Sequence, residues 1–363
     1  MTKSNIVKLM LVVSLLVGLA WAATGVTEVK QILGTPAGIG PYIIEDIQMC
    51  DDMQTAIMVG VANSDEARVY WYDLNADKVR GYCSAGILYG PRGNRGITID
   101  IMCTHAYLTN YPIDTVTVVD LVASPKVDPE TGPTDSEECV MTESLVAPKP
   151  TGIGLTYPDN QTVLVANSFS DSITIMDSAG EVIGELEVGF GPNSVLASGR
   201  AWAIATNRYD DTVYVIDLPR ERVEAIVEGL DRVPHTACID PAGQYVYAVD
   251  FVGSTVDVIR VGSWKVVKKI PVGDSPRYCA MDTAGKFLYV ANTIDKTVSV
   301  ISTAAKSVIE TIEVLPFEEP APIGAIAVTK DNRYLYVWWT GGRSGTPGDF
   351  VIFKYDVGQL YGG

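Results

Sequence analysis

Phe287-Leu288-Tyr289-Val290-Ala291-Asn292 leads through Thr293-Ile294-Asp295-Lys296 into Thr297-Val298-Ser299-Val300-Ile301. An apolar run, a short polar turn and an alternating β-branched run read as a β-hairpin. The phrase returns along the chain. Val165-Ala166-Asn167 precedes Ile173 to Asp177, Ala205-Thr206-Asn207 precedes Val213 to Asp217, and Ala248-Val249-Asp250 precedes Val256 to Ile259. Val61-Ala62-Asn63, Leu108-Thr109-Asn110 and Tyr336-Val337-Trp338-Trp339 are further copies.

The turn positions fall at 63, 110, 167, 207, 250, 292 and 339. Their separations of 47, 57, 40, 43, 42 and 47 residues match the roughly 40–45 residues of one four-stranded propeller blade. The chain therefore reads as an all-β, seven-bladed β-propeller with four antiparallel strands per blade. Each small sheet is apolar on both faces and must stack on neighbours, and a closed ring leaves no bare end. Thr27 to Leu33 alternates like a fourth strand but comes before any blade, while the last blade runs out after Asp356. The spacing thus predicts that the N-terminal strand closes the last blade.

Residues 1–22 read as a secretory signal. Lys3 and Lys8 precede an apolar run from Leu9 to Ala20, and Ala20-Trp21-Ala22 supplies a small-x-small cleavage site. The run is short for a bilayer span, and no membrane span is expected after cleavage. Residues 23–363 then form one propeller domain, expected to be secreted, periplasmic or held at the cell surface. Blade two is long, and its excess at 123–147 reads as an acidic loop between the third and fourth strands. Calcium is one conceivable occupant of that loop, but no twelve-residue calcium-loop pattern is present, and a solvated loop is the simpler reading.

The formal charge is −17, from 27 basic and 44 acidic residues. Such a surface repels phosphate backbones, so nucleic acid is not an expected partner. Six cysteines allow 15 pairings. Cys50 and Cys103 occupy similar places in adjacent blades, and Cys83 and Cys139 lie near the outer strands of the first two. Cys238 and Cys279 are offset by one residue, which points their side chains to opposite faces. Buried free thiols are the alternative.

Chemistry is scarce. His105 and His235 are the two histidines, there is no Cys-x-x-Cys, and no Gly-x-Ser-x-Gly elbow occurs. No cofactor and no metal are expected. The residue after each blade's opening proline begins an innermost strand at one mouth of the central channel. Reading it round the ring gives Tyr42, Thr151, Asn193, His235, Arg277 and Ile323. Tyr42, Asn193, His235 and Arg277 can bind a small anionic ligand or a partner's loop there, with His235 adding charge in mild acid. The alternative is that they line a wet pore. The asparagines at the repeat turns read as structural, bonding their own backbone.

Tyr289-Val290-Ala291-Asn292, Val298-Ser299-Val300-Ile301, Val272-Gly273-Asp274-Ser275-Pro276 and Asp282-Thr283-Ala284-Gly285 resemble the repeat of the YVTN-family β-propellers. The likeness runs through the mature chain and is sharpest from 150 to 315. It implies a secreted or cell-surface propeller serving as a non-catalytic recognition or scaffold module that binds a protein or small ligand. Similar propellers form the subunit of quinohemoprotein amine dehydrogenases that lacks the cofactor, so a redox-enzyme subunit is one alternative. A lactonase-like hydrolase is another.

Overall fold

The computed structural model describes residues 27–33, 43–50, 52, 54–61, 66–87, 94–100, 102–127, 138–156, 161–199, 201–314, 323–339 and 351–361. Residues 1–22, read above as a signal, Tyr42 and the glycine-rich stretch 340–349 lie outside the described residues. Seven four-stranded antiparallel sheets make up the fold. Blade four shows the pattern: Pro192–Ser198 is innermost, followed outward by Trp202–Asn207, Thr212–Asp217 and Arg222–Val227. The innermost strand of every blade touches those of both neighbours, so the ring is closed. Thr27–Leu33 pairs antiparallel with Val351–Asp356 as the outermost strand of blade seven, as the spacing predicts.

The core is divided into seven apolar clusters, one between each pair of adjacent blades. Alternation explains this. Successive residues of a strand point to opposite faces, so Leu288 and Val290 pack toward blade five while Tyr289 and Ala291 pack toward blade seven. A blade buries both faces only by having two neighbours. The closing seam between blades seven and one carries the largest side chains, with Trp338, Tyr336, Tyr70 and Tyr72 all buried.

The repeat asparagines do something other than bond their own backbone. Asn292 Nδ2 donates to Thr297 Oγ1 at 2.9 Å and to Ser299 Oγ at 2.9 Å. Asn110 does the same with Thr115 and Thr117. The turn's left-handed residue is the one four positions further on: Asp114, Asp171, Asp211, Ser254 and Lys296 have φ of 53° to 59°. The buried amide is spent on hydroxyls of the facing strand, which fixes hairpin register.

All six cysteines are paired, as Cys50–Cys103, Cys83–Cys139 and Cys238–Cys279. Every bond joins adjacent blades. For Cys238 and Cys279 the offset is the cause of the bond and no obstacle to it. Opposite faces of two adjacent blades look at one another, and both cysteines belong to the cluster between blades five and six.

The stretch 123–147 departs from the expected loop. It contains the fourth strand of blade two, Met141–Leu145. On the way there it returns to blade one. Val127 exchanges backbone hydrogen bonds with Tyr82, and Cys139 N donates to Ser84 O at 2.7 Å. The outermost strand of blade one would otherwise be an open edge, and covering it suppresses edge pairing. The acidic residues at 128–137 lie outside the described residues.

Candidate functional site

Four innermost strands begin with proline: Pro150–Leu155, Pro192–Ser198, Pro234–Ile239 and Pro276–Met281. Directly after each proline the pairing slips. Pro234 faces Asp250 and Thr236 faces Val249, so His235 has no residue opposite. Asn193 and Arg277 are the extra residues of blades four and six in the same way. A bulge of this kind frees one side chain from the ladder and re-aims it. In blade seven Ile323 faces Trp339 and takes the proline's place, so Gly324 is the extra residue there. Ile323 is therefore not equivalent to His235 and Arg277.

The bulged residues of blades four, five and six come together. Asn193 Nδ2 donates to His235 O at 2.6 Å, with Thr206 Oγ1 donating to the same carbonyl at 3.4 Å. Arg277 Nε donates to His235 Nε2 at 3.2 Å. That bond requires a neutral imidazole with its proton on Nδ1. A second proton at Nε2 would break it and set two cations side by side. The expectation that His235 simply adds charge beside Arg277 in mild acid therefore conflicts with this geometry. The imidazole lies against Phe251, 6.0 Å between centroids, and edge-on to Tyr278 at 6.2 Å. Arg277 also lies over the Tyr278 ring at 5.3 Å.

Asn193 thus spends its amide on backbone and positions His235. Arg277 remains half-buried, with no carboxylate in ion-pair contact among the described residues. Arg208 shares this end of the ring, stacked over Tyr209 at 5.1 Å, and its Nε is buried without an acceptor among the described residues. Sequence reading passed over Arg208, Phe251 and Tyr278. Arg208 and Phe251 each follow the turn residue of their blade, Asn207 and Asp250, and that shared position was the available signal.

A second charged cluster sits within blade five. Lys269 Nζ lies 2.8 Å from Asp231 Oδ1 and 3.4 Å from Asp257 Oδ2. Asp231 N donates to Asp257 Oδ2 at 2.9 Å, and Thr255 Oγ1 donates to Asp231 Oδ2 at 2.8 Å. The Lys269 hydrogen bond holds the Asp231 carboxyl below its ordinary range. Burial, reinforced by the Asp257 charge, pushes Asp250 up to about 9. No group of three or more His, Cys, Asp or Glu side chains is arranged to hold a metal ion among the described residues.

Similarity to known proteins is partial. The family described as "Lactonase, 7-bladed beta-propeller" matches residues 227–344, about a third of the chain. No curated protein matches the sequence. Among solved structures, hydrazine synthase of Kuenenia stuttgartiensis superimposes with a TM-score of 0.65 at 18% identity, over 84% of this chain and 95% of that one. At that identity the likeness is one of fold. In sequence, the chain is similar to the seven-bladed lactonase propellers from the outer edge of blade four into blade seven.

Proposed function

We propose that this chain is a non-catalytic, extracytoplasmic recognition propeller that binds an anionic group at the channel mouth through Arg277. The observation that carries the reading is the Arg277 guanidinium itself. It is half-buried, braced by His235 and Tyr278, and has no carboxylate in ion-pair contact among the described residues, in a chain of charge −17. A protein this acidic has carboxylates to spare, so a fixed cation without one is suited to an external anion. His235, Asn193 and Thr206 hold the arginine's platform, and Tyr42 would share the rim.

Citrate is the test probe. Titrating it into the isolated chain should shift the Arg277 side-chain NMR signals saturably, and Arg277→Ala should abolish binding without lowering Tm by more than a few degrees. No saturable response at Arg277 would sink the reading. The location rests on three disulfides, which fit an oxidising compartment, and on the leader-like 1–22. No helix among the described residues is long and apolar enough to cross a membrane. N-terminal sequencing of exported protein should begin at Ala23, and a mature protein that keeps Lys3 would count against export by cleavage.

A lactonase-like hydrolase is the second reading, supported by the family match over 227–344. Lactone hydrolysis by purified chain, assayed with and without added divalent metal, separates the two. Turnover lost with Arg277→Ala would favour the enzyme. A role as the propeller subunit of an extracytoplasmic redox enzyme would instead show as co-purification with a haem- or quinone-bearing chain.

A further inference from the structure

The strands of a blade alternate in direction, so the segment before the innermost strand and the turn between the second and third strands share one end of the ring. Backbone bonds confirm the contact: Phe169 N donates to Pro148 O, Tyr209 N to Phe190 O, and Val252 N to Arg232 O. Four successive turns carry a large apolar residue two places after the turn asparagine or aspartate. They are Phe169, Tyr209, Val252 and Ile294, with Phe190 beside Tyr209. All are exposed, at 66%, 59%, 48%, 62% and 64% respectively. Single exposed apolar residues need no explanation, but an arc of them at one repeat position on blades three to six does.

We infer that this arc is a docking surface for a protein partner that inserts a carboxylate side chain into the mouth and rests apolar groups on the surrounding tips. The inference rests on the anion-binding reading of Arg277. Charge decides the kind of partner. Arg208 and Arg277 lie at this end with no carboxylate in ion-pair contact among the described residues, and the buried Arg208 Nε lacks an acceptor among them. Exposed Asp210, Asp274 and Asp295 lie on the loops outside them. A uniformly acidic surface would be repelled by those aspartates, so the partner's negative charge belongs at its centre. A single Asp or Glu on a projecting loop satisfies both conditions, and the guanidinium fork suits it. An anionic bilayer does not, because its charge is spread over a plane. Aromatic and arginine side chains around a desolvated centre are the residue types that dominate binding energy at protein interfaces.

The test places a photo-reactive benzoylphenylalanine at Tyr209, at Ile294 or, as control, at Ala242 in the turn at the opposite end, in the full chain expressed in its native envelope. We expect Tyr209 and Ile294 to cross-link to one protein, at a segment with an Asp or Glu among apolar residues, and Ala242 not to. Arg277→Ala should cut the yield about tenfold or more, the scale of a lost interface arginine. Phe190→Ser with Tyr209→Ser should abolish the Ile294 cross-link while leaving the citrate response at Arg277 intact. Cross-links to lipid, to a segment without a carboxylate, or equally from Ala242 would overturn the docking surface and leave the mouth reading standing. Cross-linking unaffected by Arg277→Ala, in a protein that does not respond to citrate, would overturn both.

Discussion

Asp250 stands diagonal to Asp257 across the middle hairpin of blade five, where Asn292 donates to Ser299 in blade six. Both carboxyls are fully buried, and each has one oxygen with no hydrogen-bond partner among the described residues. Asp257 has the Asp231 N–H and Lys269 to hold its charge. Among the described residues Asp250 has only a long side-chain bond, from Thr255, so the proton belongs on Asp250.

That assignment sets the sign of a pH effect. The folded chain keeps a proton on Asp250 up to about pH 9, whereas the unfolded chain releases it near pH 4. Between those values the folded state binds more protons, so stability falls as pH rises, by about 1.4 kcal/mol per pH unit for one such group. Asp250→Asn supplies a permanent donor in the repeat's usual form. It should raise stability at pH 8 by about 1–3 kcal/mol and flatten the slope between pH 5 and 8. Denaturant titrations at several pH values measure both, and a variant weaker than wild type at pH 8 would refute the assignment.

The closing seam depends on Lys354. Its Nζ lies 3.1 Å from Asp77 Oδ1, and Tyr336 Oη donates to the same oxygen at 3.0 Å. Both charged side chains are about nine-tenths buried. Lys354→Met should cost about 3–5 kcal/mol by stranding Asp77. Asp77 has φ of 50°, a conformation that asparagine tolerates. Adding Asp77→Asn should therefore restore much of the loss, and thermal unfolding of the two variants checks it. Equal stability of the single and double variants would count against a buried charge pair.

Deleting residues 27–33 bares the Val351–Asp356 edge. The loss should exceed the roughly 0.5–3 kcal/mol of an ordinary point mutant and should promote aggregation through the exposed edge. Light scattering and calorimetry of the truncated chain read both, and unchanged Tm and solubility would show the clasp to be dispensable.

The three disulfides span 41 to 56 residues, so loop entropy ranks them almost equally. Each Cys→Ser pair should cost about 2–4 kcal/mol. Peptide mapping of the oxidised protein should recover the three linked pairs and no alkylated thiol. A different pairing would mean a different stacking of blades one and two or five and six.

The repeat, the blade number and the N-terminal clasp were legible in the sequence because they rest on strand-local alternation and on spacing. The tight Asp240–Gly243 and Asp282–Gly285 turns were legible for the same reason, with Gly243 and Gly285 at φ of 63° and 67°. The tertiary structure decided what depends on neighbours. A one-residue offset between Cys238 and Cys279 looks like separation along the chain but is contact across a blade interface. The 123–147 stretch looks like a loop until blade one offers it the backbone of Tyr82 and Ser84 as an edge to fill. His235 and Arg277 share a repeat position in the sequence, yet only the bulge after each proline turns them toward one another. A strand fixes which face a residue is on, whereas what stands opposite that face is set by the packing of the ring.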